Sequence, residues 1–321
     1  MRYRSLGSQG LTASAIGYGA MGISRAYGAG DSKRGASAIQ RAYELGVTFF
    51  DTAELYGWGE NEQVLGQAVA SFRSEVVIGT KFGFKPPAFE TDSRPEHIRV
   101  VVENSLRYLQ TDYIDVLYQH HIDPMVPIAD VAGAVKELID AGKVKYFGLC
   151  EVGESTIREA HEVQPVSVLQ TEYSVFEREV EQLFPALSEM GIGFVPYSPL
   201  GRGFLTGTAK RAGEYEDGDV RNGYPQWQPG NFERNVDAVT QLSILAEEKG
   251  ITTAQLALAW LLAQGDGIVP IPGSRSASRV EENVGSVDVE LSADDLDRIA
   301  QIVPQGASGD RYPEAALPVW H

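Results

Sequence analysis

Short β-rich runs recur through the whole chain, and segments with helical spacing of apolar residues lie between most of them. The runs are Ser14–Gly19, Val47–Asp51, Val76–Lys81, Tyr113–His120, Tyr146–Cys150, Val166–Tyr173, Gly193–Ser198 and Ile268–Ile271. Strands of buried apolar character that alternate with helices favour a parallel sheet, and eight such units are the number that closes a barrel. We therefore predict an α/β fold, a (β/α)8 TIM barrel, with an open doubly wound sheet as the alternative.

The chain is 321 residues long, a length that α/β barrels reach as one domain. We therefore expect a single barrel domain over residues 1–321, with an N-terminal segment before the barrel. Residues 201–235 are rich in Gly, charge and aromatic side chains, which predicts a long loop after the seventh strand that folds over one barrel end. The tail, residues 304–321, either packs over the same end or frays.

Charge and cysteine content restrict the partners and the compartment. Acidic residues outnumber basic ones 44 to 27, and a net charge of −17 repels phosphate backbones and anionic lipid surfaces. We therefore expect neither nucleic acid nor a membrane as a partner. The only cysteine, Cys150, excludes an internal disulfide, and the first residues lack the apolar stretch of a secretory signal. These features predict a cytoplasmic protein.

Residues 17–22, GYGAMG, match the GxGxxG pattern of a dinucleotide-binding Rossmann unit. That fingerprint opens directly into a helix whose N-terminus holds a pyrophosphate. Here the sequence ISRAYGAGDSK follows, with two more glycines before any helical pattern. We therefore interpret the match as a coincidence and expect any nucleotide to bind elsewhere.

Polar side chains lie at or just past the ends of three consecutive predicted strands, where the active site of a (β/α)8 barrel is found. Asp51 and Tyr56 follow from the second strand, Lys81 ends the third and His120 ends the fourth. A tyrosine is a poor acid until a neighbouring cation stabilises its phenolate, and Lys81 is placed to supply that cation. Asp51 would keep Lys81 charged. His120 would donate a hydrogen bond to a carbonyl oxygen or share a proton with Tyr56.

Each of these residues also has a purely structural interpretation. Asp51 would cap a turn, Lys81 would be solvated and Tyr56 would pack against Trp58. Their joint occurrence past successive strand ends favours the catalytic interpretation. His121 would point away from His120 if the strand continued, and no HExxH or CxxC motif is present, so no protein-bound metal is predicted.

The chain resembles the aldo-keto reductases in a series of segments: GYGAMG, FFDTAELYGWGENE, IGTKFG, YQHHIDP, FGLCE, LQTEYS, VPYSPLGRGFLTG and IPGSRSASRVEENV. The tail GDRYPEA is most similar to the bacterial and plant branch that reduces aldehydes such as pyridoxal. The resemblance implies an oxidoreductase that reduces an aldehyde or ketone to an alcohol by hydride transfer from NADPH, with Tyr56 as general acid. It places the catalytic set on Asp51, Tyr56, Lys81 and His120.

The same resemblance implies a cofactor site across the barrel mouth. The nicotinamide would stack on Tyr197, and its carboxamide would be held by Cys150, Glu151 and Gln170. The other implied cofactor positions are Met21 and Asp51, then Ser198, Leu200, Gly201 and Arg202 at the pyrophosphate, and Gly273, Ser274, Arg275, Arg279, Glu282 and Asn283 at the adenosine end. Both of the last two arginines are placed to grip a 2′-phosphate, which favours NADPH over NADH.

Substrate and function class are less constrained. Met21, Trp58, Met125 and the aromatics of the 201–235 loop are expected to form substrate walls that suit apolar or aromatic carbonyls. The family usually has Ser where Cys150 stands, and a thiol is the weaker donor. Two other classes stay open: a cofactor-binding regulatory subunit, which resembles this pattern but carries Asn in place of His120, and a barrel isomerase or lyase that holds a phosphate near the eighth strand.

Overall fold

The computed structural model describes residues 1–24, 30–87 and 90–313, and a parallel sheet lies at its centre. The strands are β1 (Tyr3–Leu6), β2 (Leu11–Ser14), β3 (Tyr18–Gly19), β4 (Phe49–Asp51), β5 (Val77–Phe82), β6 (Phe84–Lys85), β7 (Glu90–Thr91), β8 (Ile114–Gln119), β9 (Val144–Cys150), β10 (Val166–Glu172) and β11 (Gly193–Tyr197). Seven of them form the parallel sheet in the order β3, β4, β5, β8, β9, β10, β11. The pairs β1–β2 and β6–β7 are antiparallel.

The eighth predicted strand, Ile268–Ile271, joins the two edges of this sheet without a regular ladder. Toward β11, the Phe194 amide donates to the Gly267 carbonyl at 2.9 Å, and the Val269 amide donates back to the Phe194 carbonyl at 2.9 Å. Toward β3, the Gly17 amide donates to the Pro270 carbonyl at 2.8 Å. Pro270 has no N–H to return, so this half of the ladder stays incomplete. The topology confirms the predicted barrel, and the open doubly wound alternative is wrong.

Gly17 and Gly19 of the GYGAMG segment allow the closing segment to approach β3 closely. A Cβ on Gly19 would lie 2.7 Å from the Ile271 carbonyl oxygen, and one on Gly17 would lie 2.9 Å from Ile271 Cγ2. A short 3-10 turn, Met21–Ile23, follows β3 directly, and the first α-helix among the described residues begins at Ser32. The segment therefore lacks the helix N-terminus that a Rossmann phosphate loop requires.

Helices follow the strands and cover the outside of the barrel. They are α1 (Ser32–Glu44), α2 (Glu60–Val69), α3 (Pro95–Leu109), α4 (Ile128–Asp140), α5 (Glu154–Val163), α6 (Phe184–Met190), α7 (Asn231–Glu248), α8 (Thr253–Ala263), α9 (Ala277–Gly285) and α10 (Ala293–Ile302). Helix α3 shows the pattern, because it buries Ile98, Val102 and Leu109 along one stripe. Among the described residues, no helix combines the length and the apolar character that crossing a membrane requires.

Two apolar clusters make up the core. The larger lies between the sheet and the helices. The smaller includes Phe49, Val116 and Val168 from the barrel strands together with Leu6 and Leu11 from the β1–β2 hairpin. The hairpin lies under the start of β11, where the Ser8 amide donates to the Gly191 carbonyl at 2.8 Å. It therefore plugs the N-terminal end of the barrel and leaves the C-terminal end for a site.

Two predicted segments pack more closely than their composition suggests. The loop after β11 carries short 3-10 turns, buries Trp227 to 1% exposure and ends at α7, which starts at Asn231 rather than after residue 235. The tail packs against neighbouring loops, since the Ala307 amide donates to the Phe176 carbonyl at 2.8 Å. The remainder of the predicted tail, residues 314–321, lies outside the described residues.

Candidate active site

A buried ion pair lies at the C-terminal ends of β4 and β5. Lys81 Nζ donates to Asp51 Oδ1 at 2.5 Å and to the Thr52 carbonyl at 2.7 Å, and the two charged side chains are 1% and 3% exposed. Asp51 is in register with Gly79, and Lys81 is on the same face of β5 two residues later. Gly79 has no side chain, and a Cβ there would lie 3.0 Å from Tyr118 Cε2 and 3.4 Å from Asp51 Oδ2, so the glycine leaves room for the carboxylate.

This pair keeps its charges in the barrel. Burial works to lower the pKa of Lys81, but the Asp51 carboxylate, together with the phenolate that Tyr56 becomes at high pH, outweighs it and raises that pKa above its ordinary value. Gln170, at the end of β10, donates from Nε2 to Asp51 Oδ2 at 2.8 Å. Both carboxylate oxygens of Asp51 therefore have a donor, which a buried carboxylate needs.

Tyr56, on the loop after β4, lies next to the lysine. The Lys81 ammonium is 5.1 Å from the centre of the Tyr56 ring. Burial raises the pKa of Tyr56 to about 12, against the lowering effect of Lys81. The resting tyrosine therefore carries its proton, and a cation is already in place for the phenolate that would form when the proton leaves.

His120 lies edge-on to the same ring. Strand β8 ends at Gln119, and the His120 and Tyr56 ring centres are 5.9 Å apart. Burial, helped by the charge of Lys81, lowers the pKa of His120 well below its ordinary value, so the imidazole is neutral and holds one donor and one acceptor nitrogen. Its Nδ1 is buried with no hydrogen-bond partner among the described residues, an unsatisfied group that a bound ligand would complete.

His121 also faces this region, contrary to the expectation for a continuing strand. Because β8 stops before both histidines, the side chains do not alternate, and the His120 and His121 rings stack at 5.6 Å with an interplanar angle of 18°. Phe84 contacts both rings edge-on. His120 therefore borders Tyr56 as one member of a stacked imidazole pair.

The predicted carboxamide positions lie at the ends of β9 and β10. Cys150 and Gln170 are in register and buried, and burial raises the pKa of the Cys150 thiol well above its ordinary value. Glu151 follows in a left-handed backbone conformation with φ of 53°. All three residues lie at or near the C-terminal ends of their strands, and Gln170 contacts the Asp51–Lys81 pair directly.

Glu151 has buried partners that sequence reasoning missed. Its carboxylate accepts two hydrogen bonds from Arg311 in the tail, both at 2.9 Å, and one from the Tyr197 hydroxyl at 2.8 Å. The Tyr197 hydroxyl is also 2.9 Å from the Tyr312 hydroxyl. The only sequence signal was the motif GDRYPEA, which indicates a branch of the family and no contact.

Arg202 is likewise held by a carboxylate. Predicted near the pyrophosphate, it pairs with Glu172 through two hydrogen bonds of 2.6 Å and is 8% exposed. The positive charge at this position is therefore balanced within the protein. The preceding turn contains left-handed residues at Ser198, with φ of 47°, and at Gly201, with φ of 54°.

The predicted adenosine end lies between the closing segment and α9. A Cβ on Gly273 would be 2.5 Å from the Gly19 carbonyl oxygen, so only glycine fits there. Arg275 precedes α9 and Arg279 is exposed on its first turns, while Asn283 is buried further along. Two guanidinium groups beside a helix N-terminus suit a phosphate. Together with the unsatisfied His120 nitrogen at the other end, this donor set fits an extended NADPH molecule.

Leu200, Ser274 and Glu282 complete the predicted cofactor positions. Leu200 packs on the main core, the Ser274 carbonyl accepts from the Tyr18 hydroxyl at 2.6 Å, and the Glu282 carbonyl accepts from Gln255 Nε2 at 3.1 Å. Met21 opens the 3-10 turn after β3. Within the described ranges, His, Cys, Asp and Glu side chains do not converge in groups of three that could hold a metal ion.

The chain matches known proteins along nearly its whole length. Residues 15–304 match the model of the aldo/keto reductase family. It is 40% identical over 314 residues to probable aldo-keto reductase 1 of Glycine max, covering 96% of this chain and 90% of the soybean protein. It is 39% identical over 316 residues to the Schizosaccharomyces pombe aldo-keto reductase yakc [NADP(+)], covering 95% and 93% of the two chains.

Solved structures agree in fold. The glycerol dehydrogenase AKR11B4 from Gluconobacter oxydans superposes with a TM-score of 0.86 at 27% identity, covering 96% of this chain and 97% of the other. The holo form of aldo-keto reductase AKR11C1 from Bacillus halodurans superposes with a TM-score of 0.79 at 27% identity, covering 94% and 96%. From the fold, the family model and these relatives, we conclude that the chain belongs to the aldo/keto reductase family of oxidoreductases.

Proposed function

We propose that this protein reduces an aldehyde or a ketone to an alcohol with NADPH, and that Tyr56 is the general acid. One observation carries the proposal: the Lys81 ammonium is buried between the Asp51 carboxylate and the Tyr56 ring. A buried cation that is paired on one side and adjacent to a phenol on the other is an arrangement that stabilises a phenolate.

Bound NADPH would supply a hydride to the carbonyl carbon. The protein's own groups act on the carbonyl oxygen. Tyr56 donates its hydroxyl proton to that oxygen, and Lys81 stabilises the phenolate left behind. Asp51 holds Lys81 in place and charged. The neutral His120 donates a hydrogen bond to the same oxygen, which favours the charge that develops there.

The cofactor preference follows from the adenosine end. Arg275 and Arg279 flank the start of α9, and a guanidinium recognises a phosphate through paired, charge-assisted hydrogen bonds. A 2′-phosphate is present on NADPH and absent from NADH. The NADP(+) in the name of the S. pombe relative supports the same choice.

The substrate class follows from the rim of the site. His120 borders Tyr56, Phe84 contacts His120 and His121 edge-on, and Met125 is 86% exposed on the loop after β8. We expect Trp58, two residues after Tyr56, on the same rim. Such a rim favours apolar or aromatic carbonyl compounds. A flat aromatic aldehyde such as pyridoxal fits this description.

The experiment follows NADPH absorbance with a panel of aldehydes that includes an aromatic aldehyde and pyridoxal, in parallel with NADH. We expect turnover with NADPH well above that with NADH, and a loss of about 10²–10⁴-fold in Tyr56→Phe with cofactor binding retained. Tyr43→Phe is the matched control, because its hydroxyl bonds Glu75 on the outer layer at 2.8 Å. Normal turnover of Tyr56→Phe would exclude it as the acid. Tight NADPH binding without turnover in the unmodified protein would favour a regulatory subunit.

A further inference from the structure

We propose that Arg311, in the C-terminal tail, is a positioning residue for the nicotinamide end of the cofactor site. The proposal rests on the NADPH-dependent function proposed above. Arg311 acts through Glu151 and Tyr197, at the mouth of the barrel. Its neighbour Tyr312 contributes a second contact, and we call Arg311 and Tyr312 the tail pair.

The contact between Arg311 and Glu151 fixes an orientation as well as a position. Nη1 donates to Oε1 and Nη2 donates to Oε2, both at 2.9 Å, and the side chains are 3% and 2% exposed. Two parallel hydrogen bonds between planar groups hold both groups in one plane. The backbone of Glu151, at φ of 53°, has left the regular strand, so the strand does not set the direction of the carboxylate.

The held carboxylate in turn fixes Tyr197. The Tyr197 hydroxyl donates to Glu151 Oε1 at 2.8 Å and is 2.9 Å from the Tyr312 hydroxyl. Two hydrogen bonds to the hydroxyl oxygen hold the far end of the Tyr197 ring in place, so the ring cannot swing sideways without breaking one of them. Tyr197 is the ring on which the nicotinamide is expected to stack, so the tail pair sets the position and direction of that ring.

The tail reaches this place along a defined path. Gly306 and Gly309 both have positive φ, 85° and 89°. A Cβ on Gly309 would lie 2.5 Å from Asn231 Nδ2, at the start of α7. Asn235 holds Ser308, the residue before Gly309. Its Nδ2 donates to the Ser308 carbonyl at 3.0 Å and its Oδ1 accepts from the Ser308 amide at 2.7 Å. A change at Gly309 should therefore displace Arg311 without altering any charge.

A purely structural role would look different, and the chain offers a matched comparison. Arg73 donates to Asp115 at 2.8 Å in a pair whose side chains are 12% and 6% exposed, near the N-terminal ends of β5 and β8. Breaking either pair leaves a buried carboxylate without its guanidinium and destabilises the fold, although Asp115 keeps a second cation, because Lys145 Nζ lies 2.9 Å from its Oδ1. Only the Arg311 pair contacts the ring that faces the cofactor.

The test compares the affinities for NADPH and for adenosine 2′,5′-bisphosphate, which carries the adenosine end alone. We expect Arg311→Ala to weaken NADPH about tenfold more than the bisphosphate, the loss of about one hydrogen bond to a charged group. Gly309→Ala should likewise weaken NADPH more than the bisphosphate. Arg311→Lys should not restore the affinity for NADPH, because an ammonium group cannot form the two parallel hydrogen bonds of a planar guanidinium. Arg73→Ala should lower the Tm and leave both affinities unchanged.

Tyr312→Phe keeps the packing of the ring and removes one hydroxyl, so it replaces Arg311→Ala if that variant fails to fold. It should also weaken NADPH more than the bisphosphate, by a smaller factor. Equal weakening of both ligands, or a lower Tm with neither affected, would overturn the positioning role. If the unmodified protein binds neither ligand, the proposed function and this inference both fall. If it binds NADPH and the variants show no such difference between the two ligands, only the inference falls.

Discussion

Lys81 holds a full positive charge at 1% exposure, so its surroundings must supply everything that water would. The Asp51 carboxylate and the Thr52 carbonyl do so, at 2.5 Å and 2.7 Å. The same arrangement gives the lysine two separable roles. It neutralises Asp51, which is a matter of stability, and it stabilises the Tyr56 phenolate, which is a matter of rate.

Lys81→Met should separate these roles when combined with a second change. Alone, it leaves Asp51 buried and unpaired, which should cost about 3–5 kcal/mol in the free energy of unfolding. It should also lower turnover by about 10²–10⁴-fold, because the pKa of Tyr56 is no longer lowered by a cation. Urea unfolding and steady-state NADPH oxidation measure the two effects.

The control is the double variant Asp51→Asn/Lys81→Met, which removes both charges. It should recover most of the lost stability, since no buried charge is left unpaired. Turnover should stay low, because the cation beside Tyr56 is still missing. Recovery of turnover in the double variant would show that the lysine only neutralises Asp51.

Single residues differ in how far the sequence predicts them. Asp51, Lys81 and His120 were located because each stands at or beside a strand end, and strand ends can be read from local apolar runs. The pairing of Glu151 with Arg311 could not be read in this way. The two residues are far apart along the chain, and an ion pair between distant residues leaves no periodic trace in the sequence.

At the scale of elements, the closure of the barrel was predicted correctly, whereas the N-terminal hairpin and the start of the first barrel strand were not. The apolar run Ser14–Gly19 predicts one strand, but Ser14 ends β2 of the hairpin and only Tyr18–Gly19 pairs with β4 in the barrel. The hairpin was missed because its strands are short and partly polar. Its turn, with glycines at Gly7 and Gly10, was the available signal.

Gly19→Ala should weaken the closure of the barrel. The added Cβ would lie 2.7 Å from the Ile271 carbonyl oxygen. The Cβ is fixed to the backbone of β3 and the oxygen belongs to the backbone of the closing segment, so neither has much room to move. We expect a loss of about 1–3 kcal/mol in the free energy of unfolding, measured by urea denaturation. Gly22→Ala is the matched control from the same motif, because no atom of the described residues lies within 4 Å of its Cβ position. Equal stability of the two variants would contradict the role assigned to Gly19.

At the scale of the whole molecule, buried carboxyls link stability to pH. Burial raises the pKa of Glu54 to about 7, and it raises that of Glu172 to about 6 against the pull of Arg202. In the unfolded chain both groups titrate near their ordinary value of 4.5. The folded state therefore binds protons more tightly than the unfolded state between these values.

Two other carboxyls act in the opposite direction. Hydrogen bonds from Arg94 hold the pKa of Asp92 at about 2, and a hydrogen bond from Lys249 does the same for Asp295. Their contribution is present above the unfolded value of 3.8 and is lost as the pH falls toward 2. His120 and His121 act in the same direction as these aspartates, because burial lowers their pKa below the ordinary value of 6.5 and their contribution is lost as the pH falls below that value. Glu54 and Glu172 therefore favour stability at acidic pH, and the aspartates and histidines favour it at higher pH.

The stability that Glu54 contributes should be fully present below pH 4.5 and lost as the pH rises through 7. Glu54→Gln keeps the side-chain oxygen that accepts from the Gly83 amide at 3.0 Å and removes the ionisation. In this variant, the fall in the free energy of unfolding from pH 5 to pH 8 should be smaller by about 2 kcal/mol. Urea unfolding across that range measures it, and Glu162→Gln, an exposed position on α5, should leave the slope unchanged. If the Glu54 variant keeps the slope of the unmodified protein, Glu54 is ionised in the folded state throughout, and the pH dependence comes from the other carboxyls whose pKa burial raises, Glu172 among them, and from repulsion among the surface charges that make up the net −17.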